Sequence, residues 1–191
     1  DAVKAVVEDC RGLAFDAVLA NLASGSPDDG RAVAAIVKEA LPNAFFVDGA
    51  YCGPPSALEQ GTGQLFVSCA GDEAALDARA GAALRALGVT TFCAGIGAAR
   101  ALDYAVVDMA FVTLMSYASN AAMLEEEGVS TEVAIEAIRR RLAAAPAALE
   151  AAAARMADRS DYESNPTATL ATWRNFFDSR RPYLERIGAS S

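Results

Sequence analysis

Histidine is absent from this 191-residue chain. No imidazole is available as a general base, as half of a nucleophilic couple, or as a metal ligand, and no metal site is expected. Lysine is nearly absent: Lys4 and Lys38 both stand in helix-like polar stretches, which argues against a buried Schiff-base amine. Basic residues are outnumbered, 16 Lys and Arg against 25 Asp and Glu, for a formal net charge of -9. Phosphate binding needs a basic footprint, so nucleic acid is not expected as a partner. Cys10, Cys52, Cys69 and Cys93 lie far apart with no CxxC pair. They read as reduced core cysteines of an intracellular protein, expected in the cytoplasm.

Long hydrophobic runs are scarce too. The opening DAVKAVVEDCRGLAFD carries acids and no basic region before an apolar block, so it does not read as a secretory signal. The longest uncharged stretch, Met109 to Leu124, includes Thr113, Ser116, Ser119 and Asn120. That falls short of the roughly 18 apolar residues of a membrane span. A buried core helix is expected there, and no membrane partner.

What is present is a globular balance, 53% hydrophobic and 21% charged, enough for one domain or one and a half. Strands are predicted over Asp16 to Ser24, Ala44 to Ala50, Gln64 to Ala70 and Val89 to Ala94. Helices fall between them. Ser26, Pro27 and Asp29 form a capping-box-like start for a helix running to Leu41, and Asp72 caps another that reaches Leu87. The runs Phe45–Val47 and Leu65–Val67 are apolar on consecutive residues, the pattern of strands covered on both faces. Alternation of this kind predicts an α/β sheet with helical crossovers over residues 1–96.

The character changes after Gly97. Residues 98–127 hold no proline or glycine and predict one long helix, apolar on every side and so expected to be surrounded by protein. Gly128 ends it, Ser130 or Thr131 starts the next helix, and Pro146 divides the alanine-rich block Arg141 to Arg155. A turn at Asn165-Pro166 precedes a final amphipathic helix with Trp173, Phe176 and Phe177. Residues 97–191 are therefore expected to be all-helical. One feature is odd for an open α/β domain: the chain starts at the back of a helix instead of on a strand, near a break at Gly12. The sheet is expected to be completed by further elements or by a partner chain.

Several stretches invite a chemical reading. Gly95-Ile96-Gly97 follows a strand and opens a helix, like the start of a GxGxxG fingerprint, but Arg100 stands where a third small residue belongs. A flexible joint explains it better. Ser24-Gly25-Ser26-Pro27 lies after a strand at a helix N-terminus, and reads equally as a ligand edge or a plain turn. Gly53-Pro54-Pro55 points to the same edge, as a pocket wall or a rigid turn. Asp103 and Asp108 interrupt the long helix. Either acid is costly to bury unpaired, and burial favours its protonated form. A bridge to Arg100 or to a neighbouring helix is the alternative to catalysis. Glu125–Glu127 and Arg139–Arg141 read as solvated helix faces, complementary across a subunit contact if one exists.

Taken in order, four stretches resemble the imine reductase and reductive aminase family of the β-hydroxyacid dehydrogenase group. NLASGSPDDGR (Asn21 to Arg31) is similar to its Asn-Leu-Thr-Asn/Ser-Gly-Thr-Pro stretch, and VDGAYCGPP (Val47 to Pro55) to its Asp/Gly-Gly-Ala-Ile-Met-Ala-Val-Pro loop. LFVSCAGDEAALDA (Leu65 to Ala78) resembles the strand and helix closing the nucleotide domain. Gly97 to Ser130 resembles the long interdomain helix, ending in Glu-Gly-Val-Ser. Asp103 falls where hydroxyacid dehydrogenases have lysine and imine reductases have Asp or Tyr.

The resemblance implies a fold: a partial Rossmann-like parallel sheet, then a long interdomain helix and a helical dimerisation domain. It also implies a function, NADPH-dependent hydride transfer to a C=N bond. Asp103 would anchor the iminium or supply a proton. Ser24, Gly25, Cys52, Gly53 and Pro54 would lie at the nicotinamide, and Phe111 and Met115 at an imine, amine or carbonyl substrate. An interlocked homodimer is implied as well. The family's opening βαβ unit and its Gly-rich phosphate loop have no counterpart in these residues, so weak NADPH binding is expected. The other outcome is a non-catalytic helical dimerisation or scaffold domain derived from that family.

Overall fold

Apolar strands alternating with capped helices carry straight through to the architecture. The computed structural model describes residues 2–11, 17–158 and 170–188. Gly12, Asp16 and the expected turn at Asn165-Pro166 lie outside the described residues, as does the side chain of Trp173. Helix α1 (Ala2–Asp9) precedes strand β1 (Val18–Asn21), then α2 (Pro27–Ala40) and β2 (Phe45–Cys52). Short helix α3 (Pro55–Glu59) leads to β3 (Gln64–Cys69). Between β3 and β4 (Val89–Ala94) lie α4 (Glu73–Leu76) and α5 (Ala82–Leu87). These two are joined by a π-helical turn, Asp77–Gly81, where a single uninterrupted helix was expected. The capping box is as the sequence implied: Asp29 N–H donates to Ser26 Oγ at 3.1 Å, and Ser26 N–H to Asp29 Oδ2 at 2.9 Å.

The sheet has the order β1-β2-β3-β4. Pairs β1–β2 and β3–β4 are parallel, with Asn21 opposite Asp48 and Cys69 opposite Ala94. The central pair β2–β3 is antiparallel, from Val47 opposite Cys69 to Cys52 opposite Gln64. The expected parallel sheet is thus corrected at one join. A parallel return needs a crossover of about a dozen residues or more, usually a full helix. Only the single small helix α3 stands between Cys52 and Gln64, and the chain doubles back.

Both central strands are buried on both faces, as their unbroken apolar runs required. Val47, Leu65, Val67 and Cys69 pack with Leu76, Ala80 and Leu84 on one side. On the other, Phe46 and Leu19 lie against Val7, Val33, Val37, Ala40 and Leu41. Alternation along β2 sends Asp48 to this second face, where it is fully buried. It meets Arg100 there, Nε to Oδ1 at 2.7 Å, with the two side chains 0% and 2% exposed. All four cysteines are free thiols.

Helix α6 (Ala98–Glu126) begins after Gly95 and Gly97, both at positive φ. It corrects two expectations. Only Ala99, Arg100 and Asp103 are buried on it, while Met109, Phe111, Val112 and Leu114 are more than half exposed. All-round hydrophobicity says that a helix needs cover, not that its own chain supplies it. By length and composition, moreover, α6 is long and apolar enough to cross a membrane. The uncharged stretch alone understated this, because a span tolerates one or two charges near its end.

The chain divides into two compact units, Asp1–Phe111 and Val112–Ser191, with the boundary inside α6. The second unit is helical wherever it is described. Gly128 (φ +69°) ends α6, and Ser130 caps α7 (Thr131–Ala143) by accepting from Val133 N–H. Helix α8 (Ala145–Asp158) carries Pro146 in its first turn, where a missing N–H is harmless. Helix α9 (Leu170–Arg186) is tied back by Arg180 donating to Ser119 Oγ and by the Tyr183 hydroxyl on Glu127. Arg139 and Arg140 both pair with Glu136 on an exposed face of α7.

A glycine inside a helix normally costs about 1 kcal/mol relative to alanine. Gly30 in α2 reverses that rule, because a Cβ there would meet Asp48 Oδ2 at 2.5 Å and Arg100 Nε at 2.8 Å. Gly30→Ala is therefore expected to destabilise the protein by about 1–3 kcal/mol, as overpacking does, in urea unfolding. An unchanged or raised midpoint would show that the pair tolerates crowding.

Candidate functional site

The parallel strands β1 and β2 end at the same edge of the sheet, and the segments that leave them carry Ser24, Gly25, Cys52, Gly53 and Pro54. Open α/β sheets bind ligands beyond such strand ends. Helix α6 delivers a carboxyl to this edge. Its first turn is fastened at Asp48, four residues before the end of β2, with Gly97 N–H donating to Asp48 Oδ2 at 3.1 Å. One turn after Arg100, Asp103 is only 3% exposed. Its charge is felt at Cys52, the last residue of β2.

Asp103 is the unusual group of the site. Its Oδ1 is buried without a hydrogen-bond partner. Burial pushes the carboxyl above the ordinary carboxylate range, and the Arg100 guanidinium opposes that only partly. The Cys52 thiol is raised as well, first by its own burial and then by Asp103. A neutral carboxylic acid with an oxygen left over can donate a proton or receive a cationic nitrogen. Asp108, the other acid weighed on this helix, is exposed and solvated.

The predicted loop residues separate by surroundings. Gly25 is half-buried beside Arg100, and a Cβ there would stand 2.7 Å from Nη1. Ser24, Gly53 and Pro54 are exposed, while Cys52 is half-buried. Phe111 and Met115 project from α6 with 59% and 49% exposure. Phe111 stands about 12 Å along the helix axis from Asp103, and the described residues of the first unit do not bring it against the carboxyl; Met115 lies in the second unit.

Sequence reasoning missed the pair Asp48–Arg100. A signal existed: one acid within the apolar run FFVDGAYC, on a strand buried on both faces, must find a cation. The pair also resolves the Gly95-Ile96-Gly97 motif. The N-terminus of α6 is an anion site by geometry, but its anion is the chain's own Asp48 carboxylate. The turn is a joint, and no dinucleotide phosphate can use that N–H.

The raised Asp103 carboxyl leaves a thermodynamic mark. The folded protein keeps a proton that the unfolded chain releases near pH 4. The associated stability is full below that pH and is lost as pH rises through the folded-state value. Relative to Asp103→Asn, the wild type is expected to lose stability from about pH 4 upward, then level off. Denaturant unfolding of both proteins at a series of pH values measures this, and a flat difference would contradict a buried neutral acid.

No family model matches the chain, and no curated protein matches it. Solved structures do. The imine reductase from Myxococcus stipitatus in complex with NADP+ is 23% identical, with a TM-score of 0.75, over 96% of this chain and 64% of that one. Streptomyces aurantiacus imine reductase is 21% identical, with a TM-score of 0.77, over 98% and 63%. The reductive aminase from Aspergillus terreus in complex with NADPH and ethyl levulinate is 18% identical, with a TM-score of 0.75, over 98% and 65%. The chain thus spans less than two thirds of the length of each. Its fold, a Rossmann-like sheet followed by helices, is the one found in these imine reductases and reductive aminases.

Proposed function

We propose that the protein is an NADPH-dependent oxidoreductase of imine reductase type, acting on a C=N bond. The observation that carries this is the Asp103 carboxyl, buried and one oxygen short of a partner at the edge where the parallel strands end. In a chain without histidine, an acid whose burial favours its protonated form is the group suited to protonate a nitrogen. The preference for NADPH follows from the family resemblance.

Ser24, Gly25, Cys52, Gly53 and Pro54 fit the nicotinamide end of the cofactor, since they are small, uncharged residues on the segments that leave β1 and β2, and Asp103 is felt at Cys52. The Gly95–Gly97 turn does not fit the pyrophosphate, because Asp48 fills it. The nicotinamide, when bound, supplies a hydride. Asp103 donates its proton to the imine nitrogen, and the carboxylate so formed remains beside the iminium it has made. Burial excludes water from that exchange and keeps the attraction strong. Phe111 and Met115, exposed on α6, are given a substrate role only by the family resemblance.

With NADPH and a cyclic imine, the protein as its gene encodes it is expected to consume NADPH. Asp103→Asn should lower kcat/KM by about 100-fold or more, the scale of general acid catalysis. Turnover untouched by that substitution would remove Asp103 from the reaction.

A second copy of this chain is the occupant we propose for the exposed length of α6. Its 29 residues carry large apolar side chains on all sides, more than a lone surface helix leaves bare. Acidic Glu125–Glu127 and basic Arg139–Arg141 supply complementary charge for a two-fold contact. Sedimentation at low concentration should show a dimer, and Leu114→Glu should shift it to monomer. A wild-type monomer would overturn this assembly. A dimer that binds no NADPH would favour the scaffold reading.

A further inference from the structure

We infer that Asp48 is a positioning residue of this site: by holding Arg100 on its own carboxylate, it denies Asp103 an ion-pair partner and leaves that carboxyl free for a nitrogen substrate. The inference rests on Asp103 being the proton donor proposed above.

Arg100 and Asp103 are three residues apart on one helix, the spacing at which an arginine and an acid normally pair. They do not pair here. Arg100 Nε instead lies 2.7 Å from Asp48 Oδ1, and Asp103 Oδ1 is left with no partner although buried. Three features turn the guanidinium away from Asp103. Gly97 N–H holds the other oxygen of Asp48 at 3.1 Å. Gly30 leaves the space in which Nε and the carboxylate meet, and Gly25 leaves the space for Nη1. A side chain at either glycine would occupy the seat that Arg100 takes.

Arg100 faces Asp103 from its own helix and lowers its carboxyl, though by less than burial raises it. The Cys52 thiol faces it from β2. Asp29 of α2 feels Arg100 from the far side. With its guanidinium seated on Asp48, Arg100 does not close on Asp103 Oδ1. Desolvation then outweighs the guanidinium, and the carboxyl is raised above its ordinary range. Without the Asp48 charge, Arg100 would be free to swing one turn and ionise Asp103.

The test titrates Asp103 directly, by 13C NMR of its carboxyl, alongside the pH profile of kcat/KM. Asp48→Asn, confirmed as folded by circular dichroism, should lower the Asp103 midpoint by about one pH unit or more. The basic limb of the rate profile should move down with it. An unmoved midpoint in that variant overturns the inference. If the single variant does not fold, the neutral double variant Asp48→Asn, Arg100→Gln keeps the question open to measurement. With Arg100 neutral nothing is left to ionise Asp103, so its midpoint should lie at or above the wild-type value, and a fall of about one unit or more overturns the inference. A wild type that turns over no imine removes the reductase reading alone, and the NMR titration still decides the role of Asp48.

Discussion

One carboxylate and one guanidinium, both removed from water, organise the first unit. Asp48 sits mid-strand in β2 and Arg100 in the first turn of α6, and neither has another reason to be inside. Leaving either charge alone would cost about 3–5 kcal/mol. The pair is therefore compulsory, and it dictates other choices. Gly30 is a glycine in a helix because Asp48 and Arg100 fill the place of its side chain. Gly25 yields to the guanidinium in the same way. The Gly95–Gly97 turn brings an N–H down onto the carboxylate, so that strand, joint and helix are bound at one point.

That anchorage explains how a single helix has two characters. The first turn and a half of α6 is buried and charged, while the rest is apolar and largely exposed. The buried end places Asp103 at the sheet edge with a defined direction and no hydrogen-bond partner at Oδ1. The exposed length offers a surface that a chain with so many apolar side chains must cover somehow.

Local rules carried much of the fold. The capping box at Ser26 and Asp29, the cap at Asp72, the stop at Gly128 and the strand Val89–Ala94 follow from residues within a few positions of one another. Such signals are legible because the physical partners are neighbours in sequence. The antiparallel join of β2 to β3 is less so, because a Gly- and Pro-rich link has the composition of any loop and only its shortness excludes a parallel crossover. The burial of α6 was misjudged for a related reason: composition reports a need for cover and is silent about its source.

For the site, the residues alone offered two acids on the long helix, Asp103 and Asp108, and only the family resemblance favoured Asp103. Sequence was enough to point to the segments after β1 and β2 as one edge. It did not tie Asp48 to Arg100, which are 52 positions apart and meet only when β2 enters the sheet and the first turn of α6 comes down on it. Residue types and their short-range spacing determined the helices and the strands and narrowed the candidate acid to Asp103 or Asp108. Only the tertiary structure decided which charge neutralises which, because an ion pair across a fold is set by three-dimensional proximity, on which local spacing places no constraint.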